Sequence, residues 1–269
     1  MTGASSGVGR EIALCLARIS SSAVAIKSAP VNIIISSRSV SALEAVAHQC
    51  RALCPASKVC VLQLDLANSV QSENIWPALE RYGVHRVHHL INNAGVSSRG
   101  VALSTTTSTL QHVFNVNFFG PVALTRVVAS RMIEQGVRGS ITYVSSVQGR
   151  VAIPYRSPYT SSKHAAQGFF DCLRAEVAGA GIDVTIVSPG YINTPISVNA
   201  LRGDGTGYGI MDQTQSTGMA ASFAAQSTLL AIARRRPDVV LADAKSRVAI
   251  QGKAQFPDLI AYIMRKRPA

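Results

Sequence analysis

The chain has 269 residues, 26 Lys+Arg against 14 Asp+Glu, and a formal charge of +12. With 47% hydrophobic and 15% charged residues, disordered and acidic-tail proteins are excluded, and a single domain over residues 1–269 with a sizeable core is predicted. The basic residues are scattered, with tight runs only at Arg234-Arg235-Arg236 and Arg265-Lys266-Arg267 and no aromatics between them, so they read as solvated surface and as attraction for phosphate-bearing ligands, not nucleic acid.

In chain order, apolar spacing predicts a helix over 8–18, and the β-branched run 31–36 predicts a buried parallel strand. Residues 20–30 between them read as a surface insertion. A helix over 41–53, a strand over 58–64 and a helix over 70–82 follow. A strand over 87–91 runs into Asn92-Asn93-Ala94-Gly95, and the pair His88-His89 within it needs polar partners. A long helix over about 107–135, a strand over 139–145, a helix over 157–179 and a strand over 182–188 ending at Pro189-Gly190 come next. The Gly-rich stretch 195–217 reads as a substrate lid, before a helix near 219–235 and a strand near 238–242.

This alternation predicts an α/β fold: a Rossmann-like, doubly wound parallel sheet with helices on both faces and the ligand site at the strands' carboxyl ends. The five cysteines form no regular framework, which points to free thiols in a reducing compartment. His48, Cys50, Cys54 and Cys60 lack metal-ligand spacing, and no metal is expected. No uninterrupted apolar run reaches the length a bilayer needs, about 18–20 residues.

Three groups of residues point to chemistry. Thr2-Gly3-Ala4-Ser5-Ser6-Gly7-Val8-Gly9 is a glycine-rich loop opening a helix, where bare N–H groups favour a pyrophosphate. Tyr159 and Lys163 are four apart on a predicted helix and share a face, so the cation would lower the phenol's pKa towards use as an acid or base. Ser146, at the end of the preceding strand, can hydrogen-bond a substrate oxygen, whereas Ser145 and Tyr155 lack the matching spacing.

Together with Asn92-Asn93-Ala94-Gly95 and Pro189-Gly190, these residues resemble the classical short-chain dehydrogenases/reductases over essentially the whole chain. The resemblance implies that Tyr159 gives a proton to a ketone or takes one from an alcohol. Lys163 would lower its pKa and bind the nicotinamide ribose, Ser146 would orient the carbonyl, and Asn117 would anchor a water of the proton relay. Thr2, Gly3, Ser5, Ser6, Gly7 and Gly9 would line the cofactor's phosphates. Asp65 and Leu66 would meet the adenine, and Asn93, Ala94 and Gly95 the adenosine side. Pro189, Gly190, Ile192 and Thr194 would contact the nicotinamide end.

The second strand ends Ser36-Ser37-Arg38 with no acid to repel a 2′-phosphate, so NADP(H) is expected over NAD(H). The expected activity is reduction of a ketone or aldehyde, lipid or steroid-like. Two alternatives stay open: an NAD(P)+-dependent alcohol or hydroxysteroid dehydrogenase, or a truncated inactive product.

The largest departure is at the start, where the first strand is expected ahead of the loop and only Met1 stands. Its absence would leave the edges of strands 31–36 and 87–91 unpaired. Met1 would then be an internal residue of a longer protein. Some family members carry an apolar anchor ahead of that strand, which implies an endoplasmic reticulum or peroxisomal membrane address for the longer chain. As written, the chain reads as soluble and intracellular. Homo-oligomers through the helices at 107–135 and 157–179 are a further implication of the family.

Overall fold

Short runs of β-branched residues become strands buried on both faces. In the computed structural model, which describes the chain except residues 26–28 and 267–269, β1 (Ile33–Ser37) pairs in parallel with β2 (Val59–Gln63), from Ile33↔Val59 to Ser37↔Gln63. A second parallel sheet runs β3 (His89–Asn92), β5 (Ser140–Val144), β6 (Asp183–Pro189), β8 (Asp238–Leu241) in that spatial order. The short β4 (Ser98–Arg99) and β7 (Leu201–Arg202) pair with each other apart from these.

The two half-sheets meet at Met1 and Thr2. The Met1 amine donates to the Ile34 carbonyl (2.8 Å), and Ser36 N donates to Met1 O (3.0 Å). On the other side Thr2 N donates to Ile91 O (3.0 Å), and Ala4 N returns to Ser36 O (3.1 Å). The expected pair of unpaired edges is closed only in part: Thr2 bridges Ser36 in parallel and bonds Ile91, so one rung joins the half-sheets.

Helices cover both faces. On one, α1 (Gly7–Ala25), α2 (Val40–Leu53) and α9 (Ala221–Ala233) press Ile12, Leu14, Leu43, Val46 and Ala225 onto Ile33, Ile35, Ile91 and Val144. On the other, α4 (Ile75–Glu80), α6 (Gly120–Glu134) and α7 (Ser157–Val177) press Trp76, Leu124, Val128, Phe170 and Leu173 onto Leu62, Leu90, Ile141, Tyr143 and Ile186.

Several boundaries move for identifiable reasons. Helix α1 continues to Ala25, so the expected insertion 20–30 is helical in its first part, and its residues 26–28 lie outside the described residues. The helix expected over 70–82 is α3 (Ser69–Glu73) and α4, broken at Asn74. Pro77 has no N–H to give the Glu73 carbonyl, so one helix cannot run through.

The long helix over 107–135 is α5 (Thr107–Phe114) and α6, joined by a π-helical turn at Asn115–Phe119. This stretch, Thr107–Glu134, has the length and hydropathy (1.2) of a membrane span, but half of its most apolar window is buried, and Leu124, Val128 and Met132 pack in the core. His88 and His89 are exposed at the amino end of β3, where His89 Nδ1 meets Ser140 Oγ at 2.8 Å, so the feared orphaned rings do not occur. The sequence reading missed α10 (Ala244–Gln255) and α11 (Pro257–Arg265), neither of which buries a residue.

Gly120 shows how tightly α6 is seated. A Cβ there would lie 2.2 Å from the Leu66 carbonyl oxygen. Gly120→Ala is expected to cost about 1–3 kcal/mol through overpacking, read from urea melts. Gly168→Ala on α7, with nothing within 4 Å, is expected to gain about 0.4–1 kcal/mol.

Candidate active site

A cleft of about 320 Å³ opens at the carboxyl ends of the central strands, beside the Met1–Thr2 rung. The glycine loop forms its floor. Gly3 (φ +65°) and Gly7 (φ +54°) adopt left-handed backbone that a side chain would strain. A Cβ on Gly3 would meet Ala94 Cα at 2.7 Å.

The loop and the Asn92–Gly95 segment form one unit. Asn93 Nδ2 donates to Thr2 O and to Gly3 O (3.1 Å each), while Thr2 Oγ1 accepts from Asn93 N and Ala94 N (3.1 Å each). The amino end of the 19-residue α1 opens onto the same floor at Ser5, Ser6 and Gly7.

Arg38, just past β1, and Asp65 and Leu66, just past β2, line the far end. The Arg38 guanidinium is in no ion pair among the described residues. The Asp65 carboxylate accepts from Ala67 N (3.0 Å) within its own turn.

At the other end stand Ser146, Tyr159 and Lys163. Tyr159 and Lys163 share the inward face of α7, with Lys163 Nζ 5.9 Å from the Tyr159 ring centre. Lys163 Nζ donates to Val144 O (2.9 Å) and to the Tyr143 hydroxyl (3.1 Å). Burial pushes the Lys163 amine down to about 7. Burial also raises the Tyr159 phenol above its ordinary value, against its hydrogen bond from Ser146 and the positive Arg156, which both favour the phenolate. The expected net lowering of the phenol is not seen: desolvation is the larger effect, and the phenol lies above its ordinary value.

The segment 195–217, which includes the short α8 (Gln213–Ser216), lies over this end, with Pro195, Ile196, Asn199 and Gln215 on the cleft wall. It is pinned rather than loose. Its Asp212 carboxylate takes Arg99 at 2.5 Å and Arg156 at 3.2 Å, and β7 adds Leu201 to Ser98 of β4.

Residues 1–204 match the family model for short chain dehydrogenase. The bovine (Bos taurus) dehydrogenase/reductase SDR family member 7B is 38% identical over 276 residues, covering 99% of this chain and 80% of the relative. The chain belongs to the short-chain dehydrogenase family. It is an oxidoreductase family acting on CH–OH and carbonyl groups. Two solved structures share the fold at 24% identity: a Sphingobium yanoikuyae short-chain dehydrogenase in complex with NADPH (TM-score 0.74, 100% of this chain, 97% of that one) and a Burkholderia phymatum short-chain dehydrogenase/reductase in complex with NAD (0.75, 100% and 95%).

Of the residues singled out in the sequence, Thr2, Gly3, Ser5, Ser6, Gly7, Arg38, Asp65, Leu66, Asn93, Ala94, Gly95, Ser146, Tyr159, Lys163, Pro189, Gly190, Ile192 and Thr194 all line this one cleft. Gly9 and Asn117 do not. A Cβ on Gly9 would lie 2.2 Å from Gly3 O, so that glycine lets α1 pack beneath the loop. Asn117 is fully buried behind the wall, bonding Val96 N and O (2.9 Å each) and Ser162 Oγ (3.0 Å). Ser145 also reaches the lining, but its hydroxyl is taken by Gln167 (2.9 Å).

The sequence reading missed Arg99, Arg156 and Tyr143. Arg156 could have been found one helical turn before Tyr159; Arg99 and Tyr143 carry no local signal.

The lowered Lys163 value fixes a pH dependence of stability. Between about pH 7 and the unfolded value of 10.5 the unfolded chain binds the extra proton, so stability rises with pH in that window; below it the burial penalty is fully present. Lys163→Met is therefore expected to melt above wild type at pH 6 and to lose that advantage by pH 10, read by urea melts across that range.

Proposed function

We propose that the chain is an NADP(H)-dependent carbonyl reductase with Tyr159 as its proton donor. The observation that carries this reading is the convergence of Ser146, Tyr159 and Lys163 with the glycine loop in one cleft.

A dinucleotide fits the donor set. Thr2, Gly3, Ser5, Ser6 and Gly7 would cradle the pyrophosphate at the positive end of α1. The uncommitted Arg38 would meet a 2′-phosphate, and the turn that follows β1, Ser37-Arg38-Ser39, carries no carboxylate to oppose it. Leu66 and Asp65 would flank the adenine, and Asn93, Ala94 and Gly95 the adenosine ribose. Pro189, Gly190, Ile192 and Thr194 would contact the nicotinamide end. When bound, the cofactor supplies the hydride.

The chain's own residues supply the rest. Ser146 orients and polarises the carbonyl. Tyr159, held protonated by burial, gives its proton to the carbonyl oxygen. The Lys163 ammonium stabilises the phenolate that remains.

Val96, Val147, Pro195 and Ile196 give the substrate end an apolar wall suited to a lipid-like chain. Arg99 and Arg156 share the single carboxylate of Asp212, so one positive charge is left over. This favours a carbonyl compound that also carries an acidic group.

Titration by protein fluorescence and thermal shift is expected to find NADPH bound about 10- to 100-fold tighter than NADH. Arg38→Ala should abolish that difference and leave NADH binding as it was. Equal affinities in the wild type would sink the cofactor assignment. Tyr159→Phe should keep NADPH binding while kcat for carbonyl reduction drops about 10²- to 10⁴-fold.

A further inference from the structure

Tyr143 lies in β5 and is fully buried, facing α7. Its ring stacks on Phe170 (4.7 Å between centres, 18° between planes), as any apolar strand residue there would pack. Its hydroxyl does something an apolar residue cannot. It donates to the main-chain oxygen of Asn117 at 2.7 Å and accepts from Lys163 Nζ at 3.1 Å. A carbonyl oxygen only accepts, so the single hydroxyl proton is committed to Asn117 and the lone pairs face the ammonium.

We propose that Tyr143 is a positioning residue, whose hydroxyl serves as the fixed acceptor that holds the Lys163 ammonium beneath Tyr159. It thereby links Lys163 to the Asn117 carbonyl through a side chain of the sheet, where the family resemblance implies a water molecule. The inference rests on the proposed roles of Tyr159 and Lys163.

Three features support it. Among the described residues Lys163 has only the Val144 carbonyl as a further acceptor, and a buried ammonium short of acceptors is costly. Asn117 is itself immobilised by three side-chain bonds, in a π-helical turn, so the far end of the bridge is rigid. Burial, together with the neighbouring Tyr159, raises the Tyr143 phenol, which therefore stays a neutral acceptor while the lysine titrates. The titratable and charged groups around the amine are Tyr143 on β5, Tyr159 on its own helix, and Arg156 ahead of that helix, acting on Tyr159. The loop at Gly95 and the turn at Asn117 bring no charge.

The test is an NMR titration of lysine Cε and Nζ in the full chain, with the Lys163 signal identified by its loss in Lys163→Met. In wild type the midpoint is expected near 7. Tyr143→Phe keeps the ring stack and deletes the acceptor, so the midpoint should fall by about one unit. Tyr143→Leu, an apolar filler, carries the same expectation and serves if the first variant does not fold. A lowered melting temperature with an unmoved midpoint overturns the proposal, because a merely structural role would give that result.

In enzyme assays, the pH profile of kcat should shift by the same interval while KM for NADPH stays as in wild type. The titration needs no cofactor. If wild type reduces no carbonyl, the functional reading fails and the midpoint still decides the role of Tyr143. If wild type is active and neither variant moves the midpoint, only the role of Tyr143 falls.

Discussion

The rung formed by Met1 and Thr2 is the constraint on which the cleft depends. β1 and β2 form one half-sheet and β3, β5, β6 and β8 the other, and no other backbone pairing joins them among the described residues. Four backbone bonds cross there, and the Thr2 hydroxyl accepts two more from the Asn93 and Ala94 amides. At about 0.5–1.5 kcal/mol each, six such bonds approach the entire net stability of an ordinary domain, about 5–15 kcal/mol. The same residues set the height of the glycine loop relative to Asn93 and Gly95. Sheet integrity and cleft geometry are therefore one property, and anything that loosens the rung displaces the floor before it unfolds the core.

The opposite end of the cleft depends on dryness. Tyr159 and Lys163 sit where desolvation dominates, so a phenol stays neutral and an amine sits at the edge of ionisation. The amine responds to small changes in nearby charge, because its value lies close to neutral pH. Rigid elements keep it in place. β5 supplies Ser146 at its end, α7 supplies the Tyr–Lys face, and the π-helical turn places Asn117 behind both. A one-residue slip in β5 would turn Tyr143 and the neighbouring wall to the wrong face of the sheet.

Much of this was legible in the sequence because it is local. The strands 31–36, 58–64 and 182–188 are β-branched runs, and their period and length survive folding within a residue or two. The loop at Gly3–Gly9 and the Tyr159/Lys163 pair are legible for the same reason, since each is a spacing within one element. What escaped depends on partners distant in sequence. Nothing near Met1 says that Met1 and Thr2 join the two half-sheets, because the bonds go to Ile34, Ser36 and Ile91. Tyr143 reads as one more apolar position of its strand, and its hydroxyl acquires meaning only when Lys163 and Asn117 arrive from α7 and the π-helical turn. Helix α10 lacks the apolar periodicity by which buried helices are read, whereas α11 carries a strong apolar stripe that was legible and was overlooked. The break at Asn74 was avoidable too, since Pro77 is a local signal.

Part of the basic character of the chain is gathered in the same cleft. A charge of +12 without aromatic platforms or a long basic groove fits nucleic acid poorly. Arg38, Arg99, Arg156 and Lys163 all line the cleft, whereas Asp65 is its one lining carboxylate and is already engaged by its own turn. A concave surface with low-dielectric walls focuses the field of such charges and raises the arrival rate of anions. Arg38 at one end and the Arg99–Asp212–Arg156 cluster at the other spread that attraction over the length of the cleft. Asp212 lies in the segment 195–217, so the same cluster ties that segment to Arg99 and Arg156.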